Sequence, residues 1–308
     1  MAIRHTRAGW VPGARRTGRG LILLGWLGAL LAITAGCSGS RGASTPATTP
    51  EPLATVPEDG GAPSFPAWLA LTPEQEPRAA AIVARIRALG EPITFAAEGV
   101  AGAVASSARR RCEADDLSFL ELRLDRLATE LELTKRPLIQ AINDFHALLA
   151  PAQRQAVVAY LRDREEQRRA RREERANRGS IGDAQRDMGI DLDLTFGQIA
   201  TLIVRLRGIQ SRYQDRTDPW LAHYRVAIDA FARADFDLAT EPVAEVPVGA
   251  IVREVGRDAY VQLITVFDDA QCDAIARFIR RKVAERAEER SSAAAAADAE
   301  SALSDADR

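Results

Sequence analysis

Cysteine, methionine and histidine are scarce in this chain of 308 residues, which holds three Cys, two Met and three His. So few cysteines exclude a disulfide-framework scaffold. Met188 is the only methionine beyond the N-terminal leader, which excludes a Met-rich copper site. Glycine is ordinary at 21 residues, so a collagen-like chain is excluded as well. A mean hydropathy of −0.16 rules out a polytopic membrane protein. No HExxH, GxSxG or P-loop occurs, nor a Cys/His pair at a telling spacing, and the chain is read as a non-enzyme without a cofactor. The acidic pairs Asp115-Asp116 and Asp268-Asp269 stand where helix N-termini favour negative charge, which suffices to explain them. What is present is 46% hydrophobic residues, enough for a core, in a length that allows one large or two small domains. The charge is nearly balanced, with 41 basic and 43 acidic residues. Residues 1–36 carry five Arg and no acid, so the remainder has 36 basic against 43 acidic residues and a net charge of about −7. That balance argues against a nucleic-acid partner.

Arg4, Arg7, Arg15, Arg16 and Arg19 precede a 13-residue apolar run, 21–33, which is followed by Thr34-Ala35-Gly36-Cys37. A positive segment, a short apolar segment and small residues form the layout of a secretory signal over 1–36. Thirteen helical residues rise only about 20 Å, short of the roughly 30 Å hydrocarbon core, so a spanning helix is the weaker reading. Cys37 directly after Ala-Gly resembles the bacterial lipobox, with Thr34 where that pattern usually has Leu. The resemblance implies a lipid on Cys37 as the sole membrane attachment. Ser38, rather than Asp, implies outer-membrane sorting of a periplasm-facing lipoprotein. Residues 38–66 contain six Pro with many Gly, Ser and Thr and no apolar period, so 37–66 reads as a disordered tether. The tail, 291–308, is Ala, Ser, Asp and Glu and is expected to be frayed helix or disordered.

Between tether and tail the apolar residues follow a helical period. Leu120, Leu124, Leu127 and Leu131 share one stripe, as do Leu138, Ile142, Phe145 and Leu149; Leu202, Leu206, Ile209 and Tyr213; and Leu221, Tyr224, Ile228 and Phe231. No convincing period-two run appears, and the fold class is all-α.

A longer-range regularity lies across these stripes. Residues 145–162 match residues 263–280 at an offset of 118, apolar against apolar, and Leu71-Thr72-Pro73-Glu74-Gln75 matches Leu194-Thr195-Phe196-Gly197-Gln198 at an offset of 123. Each Leu-Thr-x-x-Gln is a capping box: the Thr72 or Thr195 hydroxyl accepts from the amide three residues on, and Gln75 or Gln198 reaches back to the Thr amide. Asp268 and Gln271 form the same box with an acidic cap, whereas Ala150, three residues before Gln153, has lost the capping side chain. Four boxes in the same order, 78 and 73 residues apart within each half, indicate a tandem duplication of a unit of about 100 residues.

With these motifs the chain resembles the Spy/CpxP family, periplasmic proteins named for LTxxQ. Each half has the layout of a first box, an amphipathic helix, an aromatic-acidic turn such as Asp235-Phe236-Asp237, a longer helix and a second box. In the first half the turn is degenerate, as Asp115-Asp116-Leu117. The resemblance implies tandem helical-hairpin units over 67–178 and 179–290, pairing as an internal pseudo-dimer in a monomer, or a homodimer. It also implies an ATP-independent envelope chaperone or stress modulator, whose partners are non-native proteins or an envelope signalling protein. The alternatives are a structural lipoprotein with one fixed protein partner and an extracytoplasmic metal-responsive sensor.

His146 and His223 are too few for a metal cluster, and His146, opposite Ile264 in the other half, is expected to be a partly buried or surface residue. Cys112 and Cys272 either pair in an oxidising compartment or leave Cys272 a buried thiol. Residues 162–175 hold seven Arg and five acids, a solvated helical extension or a mixed-charge face that attracts clients.

Overall fold

The computed structural model describes residues 65–109, 117–178 and 192–306. The expected signal segment, Cys37, most of the expected tether, Cys112, Asp115-Asp116, residues 179–182 and Met188 lie outside these. Among the described residues there are six α-helices and no strand: α1 (Gln75–Arg109), α2 (Ser118–Leu148), α3 (Pro151–Arg178), α4 (Phe196–Ala230), α5 (Val248–Ile264) and α6 (Asp269–Ala306). Three short 3-10 turns, Ala67–Leu69, Leu238–Thr240 and Pro242–Glu245, complete the fold. No helix among the described residues is long and apolar enough to cross a membrane.

Two expected boundaries move. The tail, expected as frayed helix or disorder, is helical to Ala306; five consecutive alanines, 293–297, have the highest helix propensity of any residue and extend α6. At the other end Phe65 and Pro66, assigned to the tether, belong to the folded part. Phe65 packs beside Trp68 and Leu71 against the core, and Trp68 stacks on Tyr160 with ring centroids 5.1 Å apart. Such aromatic burial outweighs the proline-rich composition of the preceding segment.

The helices are arranged so that α1 packs on α2, α2 on α5, and α5 on α4, while α6 lies against α1 and α3 against α4. Most of the core therefore draws on both halves of the chain. One cluster joins Leu69, Phe145, Leu148, Leu149, Val157 and Val158 to Ile228, Phe231 and Phe236. A second joins Ala103, Ala105, Leu120 and Leu124 to Tyr260, Ile264, Cys272 and Ala276. A third joins Ala96, Ala97 and Leu127 to Val252. Leu206, Ile209, Tyr213 and Ala259 fill the α4–α5 contact. Tyr224 departs from its expected stripe and is over a third exposed. At that level α3 meets α4 through the Arg162–Asp229 and Glu165–Arg225 ion pairs rather than through an apolar seam.

The α2–α5 crossing is antiparallel and very close. A Cβ on Gly249 would stand 2.5 Å from the Ala128 carbonyl oxygen, and one on Gly256 would stand 2.8 Å from Leu124 Cδ2. Only glycine allows the helices to approach this far. Polar contacts flank the seam: Gly249 N–H donates to Glu132 Oε1 at 2.9 Å, Lys135 Nζ to the Val246 carbonyl at 2.9 Å, Arg253 pairs with Asp125 at 2.6 Å and Arg257 with Glu121 at 2.8 Å.

Cys272, fully buried in the second cluster, is disulfide-bonded rather than a free thiol. The other two cysteines, Cys37 and Cys112, lie outside the described residues.

Two stability changes follow. Gly249→Val should lower stability by about 2 kcal/mol or more, as overpacking against backbone does. Gly90→Ala, with nothing within 4 Å of the added Cβ, should raise it by about 0.5–1 kcal/mol. Denaturant titration of both variants checks the pair. Cys272→Ala should lower stability by about 2–4 kcal/mol under oxidising conditions. Dithiothreitol should destabilise the parent protein to a similar extent and leave the variant unchanged.

Candidate functional site

The four capping boxes do not act singly; they meet in two pairs. At the start of α1, the Thr72 hydroxyl accepts from the Gln75 amide at 3.3 Å, and Gln75 Oε1 accepts from the Thr72 amide at 3.0 Å. At the start of α3, Gln153 Oε1 accepts from the Ala150 amide at 2.7 Å, so the glutamine half of that box persists without a capping side chain. Gln75 Nε2 donates to Gln153 Oε1 at 3.1 Å and Gln153 Nε2 to Gln75 Oε1 at 2.9 Å, a reciprocal amide pair. The remaining amide hydrogens go to main-chain carbonyls, from Gln75 to Leu148 at 2.7 Å and from Gln153 to Ala70 at 2.8 Å.

The same construction stands at the starts of α4 and α6. Thr195 and Gln198 form a complete box, and Asp268 Oδ1 accepts from the Gln271 amide at 2.9 Å while Gln271 Oε1 accepts from the Asp268 amide at 3.0 Å. Gln198 Nε2 donates to Gln271 Oε1 at 2.7 Å and Gln271 Nε2 to Gln198 Oε1 at 3.2 Å. The outward donations go to the Val266 carbonyl at 3.0 Å and the Leu192 carbonyl at 2.9 Å. Every donor and acceptor of the four amides is used, as burial of Gln153 and Gln271 requires.

A capping box accepts Glu as readily as Gln, yet all four boxes carry Gln. The pairing supplies the reason: two carboxylates face to face would repel and bring no donor to each other or to the carbonyls beyond. The sequence shows the boxes, but their mutual contact depends on helix ends 73 and 78 residues apart. A second hidden feature accompanies each pair. Ala70 and Asp193 are the only non-glycine residues with positive φ among the described residues, at 47° and 43°. Each lies five residues before the first glutamine of its pair, where the chain turns to present a carbonyl to the second one. Asp adopts this conformation more readily than Ala, whose Cβ makes it costly, so composition flags neither site as a pair.

Elsewhere α2 receives the α4–α5 connection. Asn143 Nδ2 donates to Asp237 Oδ1 at 2.5 Å, and Asn143 Oδ1 accepts from the Leu238 amide at 2.9 Å. His146 is buried, at 4% exposure, instead of lying at the surface. Its Nε2 donates to the Arg233 carbonyl at 2.9 Å, and its ring packs on Phe231 and Phe236, each with centroids 5.0 Å away. Burial holds the His146 pKa below the ordinary imidazole value, and the nearby Arg154 charge adds to this against the Arg233 and Phe231 carbonyls, which oppose it. Phe236 of the aromatic-acidic turn is buried here, and Asp237 caps the following 3-10 turn through the Ala239 amide. Arg233 pairs with the buried Glu241 at 2.5 Å and with Asp235 at 3.5 Å.

The outward face of α1 and α2 carries large apolar groups with arginine between them. Phe95, Leu122 and Leu133 are 61%, 62% and 67% exposed. Arg126 lies over the Phe95 ring at 5.3 Å and Arg123 over the Phe119 ring at 5.0 Å. On α4, Phe196 is 87% exposed with Ile203 and Val204 along the same helix. The sequence stripes mark buried positions, and these exposed residues fall between them.

No group of three or more His, Cys, Asp and Glu side chains that would hold a metal ion occurs among the described residues. Neither a family model, nor a curated protein, nor a solved structure matches this chain.

Gln153→Leu should lower stability by about 2–3 kcal/mol, since it strands the Gln75 amide and the Ala70 carbonyl in a buried site. Ala70→Gly should raise it by up to about 1 kcal/mol by relieving the left-handed backbone. Thermal unfolding of both variants measures the contrast.

Proposed function

We propose that the chain is an envelope lipoprotein of the Spy/CpxP kind, two fused helical units that bind non-native proteins without ATP. The observation that carries this reading is the exposed apolar and arginine-bearing face of α1 and α2, a surface of the type that marks protein-binding sites. Arginine stacked on an aromatic ring offers both charge and apolar area to an unfolded segment.

The duplication is supported by equivalent details in the two halves. Each has one reciprocal glutamine pair and one left-handed residue five positions before it. If α1, α2 and α3 correspond to α4, α5 and α6, the contact of α1 with α6 corresponds to that of α4 with α3, and α2 with α5 corresponds to itself. A two-fold arrangement of two similar units has this property, and it supports an internal pseudo-dimer. A shared core makes a single chain sufficient, and the protein should be monomeric. The Cys272 disulfide fits an oxidising compartment and so supports export. Anchoring through lipid on Cys37 and placement in the outer membrane belong to the same proposal.

The test is suppression of aggregation of a chemically denatured, unrelated protein by residues 38–308, without nucleotide. Suppression is expected at near-equimolar ratio and should weaken as salt rises, because arginine contacts are screened. Leu122→Ser with Leu133→Ser should weaken client affinity about tenfold, the ~1.4 kcal/mol expected from two half-used apolar contacts. A protein that leaves the client's aggregation unchanged at every ratio would instead be a scaffold for one fixed partner.

A further inference from the structure

We propose that His146 is an acid-sensitive latch, which holds the α4–α5 connection on the end of α2 when neutral and releases it when protonated. The latch joins segments far apart in sequence: His146 and Asn143 on α2, Arg154 on α3, and residues 231–241 of the connection. The imidazole and Asn143 are the polar attachments of its 231–238 stretch to α2, beside the apolar packing of Phe231 and Phe236, while Lys135 holds the Val246 carbonyl at its far end.

The neutral ring suits its surroundings. With Nε2–H committed to the Arg233 carbonyl, Nδ1 is unprotonated, and an added proton must go there, in a site walled by Phe231 and Phe236. The charges around the ring do not favour that proton. Arg154, whose Nε donates to the His146 carbonyl at 3.1 Å, repels it. Arg233 faces it from the connection, and the two carboxylates nearest there, Glu241 and Asp235, are already bonded to Arg233. Asp237 is occupied by Asn143 and by the Ala239 amide. On the outer flank Asp144 of α2 is paired with Arg85 of α1. The carbonyls of Arg233 and Phe231 favour the imidazolium, but burial outweighs them.

The sign follows from linkage. A base whose pKa is lower when the latch is closed keeps it closed above the ordinary imidazole pKa of about 6.5, and the stabilisation is lost as pH falls from there through the closed-form value. Opening separates Phe231 and Phe236 from Phe145 and Leu148 and so uncovers apolar surface that is buried at neutral pH. If the chain is exported, as proposed above, it shares the pH of its surroundings, and this site makes it respond to acid.

The experiment is a histidine NMR titration of the full chain from pH 8 to 4.5, with amide hydrogen exchange of 231–245 measured in parallel and corrected for the intrinsic rate. The expected result is a His146 midpoint below about 6.5 and an acid-induced loss of protection in 231–245 of about tenfold per pKa unit of displacement. The helical centre of α2 should keep its protection over that range. His146→Ile, which places at this site the residue found at 264, should abolish the pH dependence while leaving protection at neutral pH. A His146 midpoint at or above that of a free imidazole overturns the proposal, and this readout needs no variant to fold. So does unchanged protection of 231–245 down to pH 5, or the same acid response in His146→Ile.

Discussion

The fold depends on four glutamine amides used as two reciprocal pairs. Each pair ties the first turns of two helices together and, through its outward hydrogen bonds, fixes the chain entering one helix and the chain leaving another. Such a cluster is worth little in water, where each amide is already hydrogen-bonded, and much in a half-buried site, where losing one member strands several others. The pairs thus set register between helix ends more than they add net free energy.

Around those fixed ends the helices pack in a way that uses both halves of the chain. Residues from each contribute to three of the clusters, and the α2–α5 seam closes to backbone contact at Gly249. Small residues on α1, among them Ala96, Ala97, Ala103 and Ala105, are buried in these clusters. The ion pairs bordering the seams are half-exposed and contribute modestly, which leaves apolar burial and the amide pairs to hold the arrangement.

This economy leaves long helix faces outside the core. The Phe95–Leu122–Leu133 face is therefore a consequence of architecture as well as a candidate binding surface, with arginines lying over the Phe95 and Phe119 rings. Two of the clusters differ in chemistry: one packs around the buried His146 ring, and the other contains the disulfide-bonded Cys272.

Helix period alone determined the all-α class, the stripes of α2 and the first part of α4, and the capping signals at Thr72, Thr195 and Asp268, because these are interactions between residues three and four apart. Boundaries were less legible where composition misleads. Alanine carried α6 to Ala306, and a proline-rich segment ended in the core-packed Phe65. The pairing of glutamines, the left-handed turn at Ala70, the glycine contact at Gly249 and the burial of His146 were decided only by tertiary structure. Each depends on a surface supplied from about 70 to 120 residues away, and nothing in the local pattern of a chain specifies what such a distant surface will be.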